Sequence, residues 1–342
     1  MNRIKTILVT FASICMGITQ AYAANIISED VKILNAADSI ILAGTLSAPK
    51  TEFPKAAIIL ATGSGAQNRD EELLGHKPFK VLAEHLSRYG YAVLRMDDRG
   101  TGESTGNFEK ATVQDFRNDI THGLDWISKR YHGIPAGVIG HSEGGSIAIK
   151  LAADNRCDFI VTLAAPAWPG DSIIMSQCRA IATGLTGHWD GEQTQRAILN
   201  VVKSPIYSAM ARISLYMILR DAFGPQADIP KIKETIEQQI DVLVSDNYRD
   251  MVRYDPTTDI SGIKKPWLAL NGDHDVQVIP GNLTTIKTLC PTVHTVLLKE
   301  HNHLMQRCVT GLPEEYALIS EDISQETLDT ITAWLDSLFD NR

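Results

Sequence analysis

The 342-residue chain has no Cys-x-x-Cys, no block of Lys or Arg, no internal repeat and no low-complexity linker. The missing cysteine pairs leave structural zinc and thioredoxin-like redox chemistry without support. A formal net charge of -9 with no basic block repels phosphate backbones, so nucleic acid is a poor partner. Long apolar runs are absent too. The most apolar stretch, residues 7–18, falls short of the ~20 residues a bilayer span needs. It follows Arg3 and Lys5 and precedes Ala21-Tyr22-Ala23, the order of a secretory signal peptide cleaved after Ala23. Ile14 stands where a lipoprotein signal carries a small residue, so Cys15 is not read as a lipid anchor. Export to the periplasm or medium is therefore expected, with no stable membrane anchor after residues 1–23 are removed. Export leaves Cys157, Cys178, Cys290 and Cys308, enough for two disulfides in an oxidising compartment. We expect Cys290–Cys308 to be one, closing the loop around residues 301–303.

With 44% hydrophobic and 21% charged residues, the remainder is ordinary globular composition. Residues 31–34 and 40–46 read as a hairpin. From residue 56 to 164, short apolar runs (56–60, 91–96, 137–139, 159–164) alternate with helical spacing (78–89, 113–127, 142–153). Such alternation argues a mostly parallel sheet covered by helices on both faces. The rhythm breaks at Pro166-Ala167-Trp168-Pro169-Gly170, and only helical patterns follow until strands resume at 266–271 and 293–298. The expected organisation is a core in two parts, 24–166 and 261–342, separated by a helical cap at 167–260. Leu215 and Ile218 are the candidates for the inner face of that cap.

Two Gly-x-Ser-x-Gly pentapeptides compete for attention, Gly102-Glu103-Ser104-Thr105-Gly106 and Gly140-His141-Ser142-Glu143-Gly144. A serine hydroxyl becomes a nucleophile only with a base to take its proton and N–H donors to hold the oxyanion. A strand turning sharply into a helix supplies that setting. Ser142 has a strand before it and a helix after it; Ser104 lies in a loop. The N–H of Glu143, the residue after the serine, is the expected first donor. Acids and histidines follow at later strand ends, as Gly272-Asp273-His274-Asp275 and Glu300-His301-Asn302-His303. On residue type alone, Asp273 or Asp275 can be the acid and His301 or His303 the base. The same four side chains also suit zinc, a reading that would leave the serine turn unexplained. Arg99 reads as an ion-pair residue.

ATGSGAQNRDEE, DDRGTGESTG, GHSEGG, NGDHDVQVIP and EHNHL resemble successive motifs of secreted bacterial α/β-hydrolase esterases, which are related to the serine-aminopeptidase branch of that superfamily. The resemblance spans most of the chain after residue 23, although the insertion carries little of it. It implies an α/β-hydrolase fold in which Asp275 closes a Gly-x-x-Asp pattern and His303 follows an asparagine. Thr62 stands where the first loop usually has histidine, which leaves Ser64 as the second backbone oxyanion donor. The expected activity is carboxylic ester hydrolysis through an acyl-enzyme, with Ser142, Asp275 and His303 as the triad. The expected partner is a small acyl ester, and no metal or organic cofactor is implied. A serine aminopeptidase is the alternative, needing Glu192, Glu234, Glu237 or Asp241 of the cap to capture an amine. A binding protein on a catalytically dead hydrolase fold is the third reading.

Overall fold

The computed structural model describes residues 26–340; the signal-peptide reading of residues 1–23 lies outside them. Strands β1 (Ile26–Asn35) and β2 (Ile40–Pro49) form the expected hairpin, antiparallel, with Asn35 opposite Ile40. Four short apolar segments are buried along their whole length: β3 (Ala57–Ala61), β4 (Ala92–Met96), β5 (Ala136–His141) and β6 (Phe159–Leu163). Strands β7 (Trp267–Gly272) and β8 (His294–Leu298) complete an eight-stranded sheet in the order β1-β2-β4-β3-β5-β6-β7-β8. Pairing is antiparallel through β1, β2 and β4 and parallel from β4 to β8.

A strand buried on both faces needs cover on both. Alternate residues of β3 go to opposite sides: Ile59 and Ala61 join one core cluster, Ile58 and Leu60 the other. The first face is covered by α2 (Val113–Arg130) and α3 (Glu143–Ala153), and Thr112 starts α2 with a capping box to Asp115. Leu283 and Ile286 of α10 (Gly281–Leu289) join that face. The second face is covered by α1 (Pro78–Arg88) and the last helix, α12 (Gln325–Phe339), with a short α11 (Pro313–Tyr316) before it.

Between β6 and β7 the chain leaves the sheet for a helical insertion. It comprises α4 (Gly170–Thr186), α5 (Glu192–Lys203), α6 (Ser208–Phe223), a 3-10 turn, α7 (Pro230–Leu243), α8 (Asp246–Arg253) and α9 (Thr257–Gly262). Its larger part has its own apolar centre of Ile198, Leu199, Val202, Leu215, Leu219, Ile236, Ile240 and Val252. Ile260 of α9 joins the main core instead.

Two expectations need correction. Leu215 is fully buried and Ile218 packs beside it, both inside the insertion's own centre, so neither faces a ligand space. Helical spacing gives the apolar face of α6 but not which neighbour takes it. The cysteines at 157, 178, 290 and 308 are all free thiols. Cys290 ends α10 before β8 begins, and Cys308 comes after β8 ends. The Cys308 N–H bonds the Glu300 carbonyl just past the far end of β8. The two cysteines thus lie at opposite ends of a five-residue strand that spans roughly 16 Å, beyond the ~7 Å Cα separation a disulfide tolerates. The Cys290 thiol instead faces the Ile263 carbonyl and the Thr292 hydroxyl.

Candidate active site

Ser142 sits between β5 and α3 with φ 52° and ψ -116°, a strained conformation for a residue with a side chain. The flanking glycines make the turn possible. A Cβ on Gly140 would lie 2.1 Å from the Gly144 carbonyl, and one on Gly144 would lie 2.0 Å from the Ala61 carbonyl. Strand and helix can therefore approach only where both positions lack a side chain. The Ser142 N–H is bonded to the Leu163 carbonyl at 2.9 Å, which ties the elbow to β6. Glu143 opens α3, so its N–H has no carbonyl within the helix to bond.

The loop after β7 holds Asp275 in place. Asp275 is 2% exposed; its Oδ1 accepts the N–H groups of Gln277 and Val278 at 2.8 and 2.9 Å. Its other oxygen, Oδ2, lies 2.9 Å from His303 Nδ1. Asn302 shapes the histidine loop by accepting the N–H groups of Leu304 and Gln306 on its side-chain oxygen. The neighbouring candidates face elsewhere. Asp273 accepts the Glu300 N–H and pairs with His274; His301 bonds the Lys299 carbonyl and the Ser324 hydroxyl. Among the described residues, no three of His, Cys, Asp and Glu converge to hold a metal. Ser104 is spent on structure, donating to the Asp97 carbonyl at 2.8 Å and accepting the Ala43 N–H at 2.9 Å. Arg99 pairs with Asp38 and Asp119, as its reading suggested.

Ser142 and His303 share a cleft with Ser64, and Ser142 also floors a cavity of about 850 Å³ between core and insertion. The insertion's side of that cavity carries Ile173, Ile174, Val242, Tyr248 and Met251; the core side carries Phe108, Val113, Trp168 and Val278. The mixture is chiefly apolar, the composition of a pocket that takes an uncharged organic group. Ser64 is exposed at the rim, and its carbonyl accepts the Gln67 amide.

With this geometry in place, comparison with solved structures identifies the architecture. An esterase of Pyrococcus furiosus superposes with a TM-score of 0.57 over 93% of each chain at 16% identity. Est1E of Butyrivibrio proteoclasticus, with ferulic acid bound, gives 0.52 over 90% of this chain and 97% of that one, at 17% identity. The chain has the α/β-hydrolase fold. Residues 76–195 of this chain match the serine aminopeptidase (S33) family model, a stretch that contains Ser142 but neither Asp275 nor His303. Among curated proteins, an esterase of Thermotoga maritima is 28% identical over 40% of this chain and 34% of its own length. The human monoglyceride lipase is 36% identical over 32% of this chain and 34% of its own length. The match thus spans about a third of those relatives.

The protein also buries acids beside the site. Burial pushes the Glu143 carboxyl up to about 7, and Asn247 of α8 only partly offsets it. Neither Glu143 Oε1 nor Asn247 Nδ2 has a hydrogen-bond partner. Burial likewise pushes Asp98 up to about 7, although it accepts the Gln67 N–H and the Thr62 hydroxyl. Thr62 thus anchors the first loop through that hydroxyl. Glu71 and His141 form a further buried couple beside the site. Their local signal was slight: Glu71 lies in an acidic run, and His141 is only the pentapeptide's variable position.

Proposed function

We propose that this protein is a serine hydrolase of carboxylic esters. The observation that carries the reading is the convergence of a strained-elbow serine and an Asp–His couple on one cleft. In this reading His303 takes the Ser142 proton as the hydroxyl attacks the acyl carbonyl. Asp275, bonded to Nδ1, fixes the tautomer that leaves Nε2 free to accept, and stabilises the imidazolium that forms. The N–H groups of Glu143 and Ser64 hold the oxyanion. The protonated histidine then gives its proton to the leaving alcohol, and water repeats the sequence on the acyl-enzyme. Esterases and a monoglyceride lipase among the relatives support ester over amide substrates.

For the aminopeptidase alternative, three of the four cap acids already have cationic partners, while Glu234 has no ion pair among the described residues and Asp241 also lines the cavity. Glu192 pairs with Arg179 and Arg196, and Glu237 and Asp241 pair with Arg212. We also propose that the enzyme is exported, on the signal-like order of residues 1–23. The test is purified protein against p-nitrophenyl esters of graded acyl length and aminoacyl amides. Turnover of esters, blocked by a fluorophosphonate bound at Ser142, is the expected result; hydrolysis of aminoacyl amides alone would overturn it.

A further inference from the structure

We propose that Glu71 and His141 act as a positioning pair, locking the loop that carries Ser64 to the loop that carries His303. The inference rests on the serine-hydrolase reading above, because it concerns the registration of that reading's oxyanion donor and base. Both side chains are buried, and together they bridge three segments. Glu71 Oε1 accepts the Gly63 N–H at 2.6 Å, one residue before Ser64. The same oxygen lies 2.9 Å from His141 Nδ1. On its other side His141 Nε2 lies 2.9 Å from the backbone carbonyl of His303. A single chain of hydrogen bonds therefore runs from the first loop, through the residue preceding Ser142, to the histidine loop.

The atoms on this path dictate where its protons sit. A carbonyl oxygen only accepts, so His141 Nε2 must carry hydrogen to bond His303. At Nδ1, a bare nitrogen lone pair facing a carboxylate oxygen would be repulsive, so a proton must lie between Nδ1 and Oε1. Burial opposes a charge on His141, but the Glu71 carboxylate beside it raises the imidazole pKa overall. We take that shared proton to rest on the ring, which makes the pair an imidazolium facing a carboxylate. Glu71 holds φ 52°, a strained value for its residue type, while presenting Oε1 to both partners.

Glutamine at position 71 cannot reproduce this. Its one amide oxygen can keep the Gly63 N–H and Nδ1–H while Nε2–H holds the His303 carbonyl only if His141 stays charged without a counter-ion; a neutral ring with hydrogen on Nδ1 gives up the His303 carbonyl. If His141 is neutral with hydrogen on Nε2, the amide must turn its NH₂ toward Nδ1 and abandon Gly63. In either neutral tautomer one of the two loops is released, and the charged ring is left buried without its counter-ion.

The experiment compares wild type, Glu71→Gln, His141→Asn and the double variant on one p-nitrophenyl ester, with binding of phenylboronic acid as a mimic of the tetrahedral adduct. We expect kcat to fall on the order of 10²-fold in Glu71→Gln, the scale of a lost oxyanion donor, with KM moving by less than about threefold. Boronate affinity should fall in parallel with kcat, and the double variant should cost no more than about threefold beyond the worse single one. A lowered Tm with unchanged kcat and boronate affinity would mean a purely structural ion pair and overturn the proposal. A second measurement needs no variant. Nitrogen-15 NMR of the wild type at pH 7 should show both His141 ring nitrogens protonated, and a neutral ring would overturn the pair. If wild type turns over no ester, the ester reading fails; full kcat in Glu71→Gln would sink this pair alone.

Discussion

For the serine, the acid and the histidine of the proposed triad the sequence offers a rival each, and the two copies differ in what their atoms are already bonded to. Asp275 spends one oxygen on two backbone N–H groups and turns the other to His303, whereas Asp273 faces His274 and the Glu300 N–H. Loss of the triad acid or base should therefore lower kcat by ~10³–10⁴-fold in Asp275→Asn and His303→Ala. Asp273→Asn and His301→Ala should cost less than about tenfold in kcat per folded molecule. Steady-state kinetics of the four variants checks this, and a crippled His301→Ala alongside an active His303→Ala would reverse the assignment. The serines divide in the same way. Ser142→Ala should remove nearly all turnover. Ser104→Ala should cost stability of roughly 1–2 kcal/mol, since its hydroxyl satisfies a buried carbonyl and a buried N–H. Denaturant unfolding of Ser104→Ala with kcat measured alongside separates the two roles. The acid–histidine choice was legible only through resemblance. Two residues of register decide it, and register here is set by the Asn302 side chain bonding its own loop, which no periodicity reveals.

At the scale of elements, the sheet was legible because its strands are short runs of apolar residues bounded by helices of clear period. A strand such as Ala57–Ala61 has nowhere to bury except between two helical layers. The insertion was legible as helical and illegible as a surface. Its helices pack on one another as well as on the core, so an apolar position on α6 serves the insertion's own centre while Ile174 and Met251 face the cavity. The consequence is a division of effects. Leu215→Ala should destabilise by about 2–5 kcal/mol through the space it leaves, with the acyl-chain profile of the folded enzyme unchanged. Ile174→Asp, whose side chain also packs on the insertion's centre, should cost roughly 1–3 kcal/mol of stability and, in the folded fraction, lower kcat/KM for long acyl chains relative to short ones by roughly tenfold. Chain-length profiles across p-nitrophenyl esters, read beside thermal melts, check both; an unaltered profile in Ile174→Asp would remove the insertion from substrate selection.

For the molecule as a whole, stability and site share the same buried acids. The four cysteines that suggested staples are free, so the fold holds by its packed layers. Reductant should then leave Tm within about 1 °C, and non-reduced peptide mapping should find every thiol alkylatable. What does set a global dependence on conditions is the carboxyl of Glu143, wedged between α3 and Asn247 of α8 without a full hydrogen bond. Its folded pKa is about 7, raised above the ordinary carboxylate value of 4.5 by burial. A carboxyl raised on folding binds its proton more tightly in the native state, so the unfolded state loses protons first as pH climbs. Stability from this group is fully present below about pH 4.5, declines between there and 7, and is gone above 7. Asp98, raised to about 7 by burial as well, adds a slope of the same sign in the same window. Glu143→Gln removes the titration while keeping the shape and the backbone N–H. Relative to wild type it should therefore gain stability as pH rises from 5 to 8, by roughly 2–3 kcal/mol at most. Urea unfolding at pH 5, 6.5 and 8 checks this. A constant difference between the two proteins at all three values would show that Glu143 is charged, and solvated, throughout.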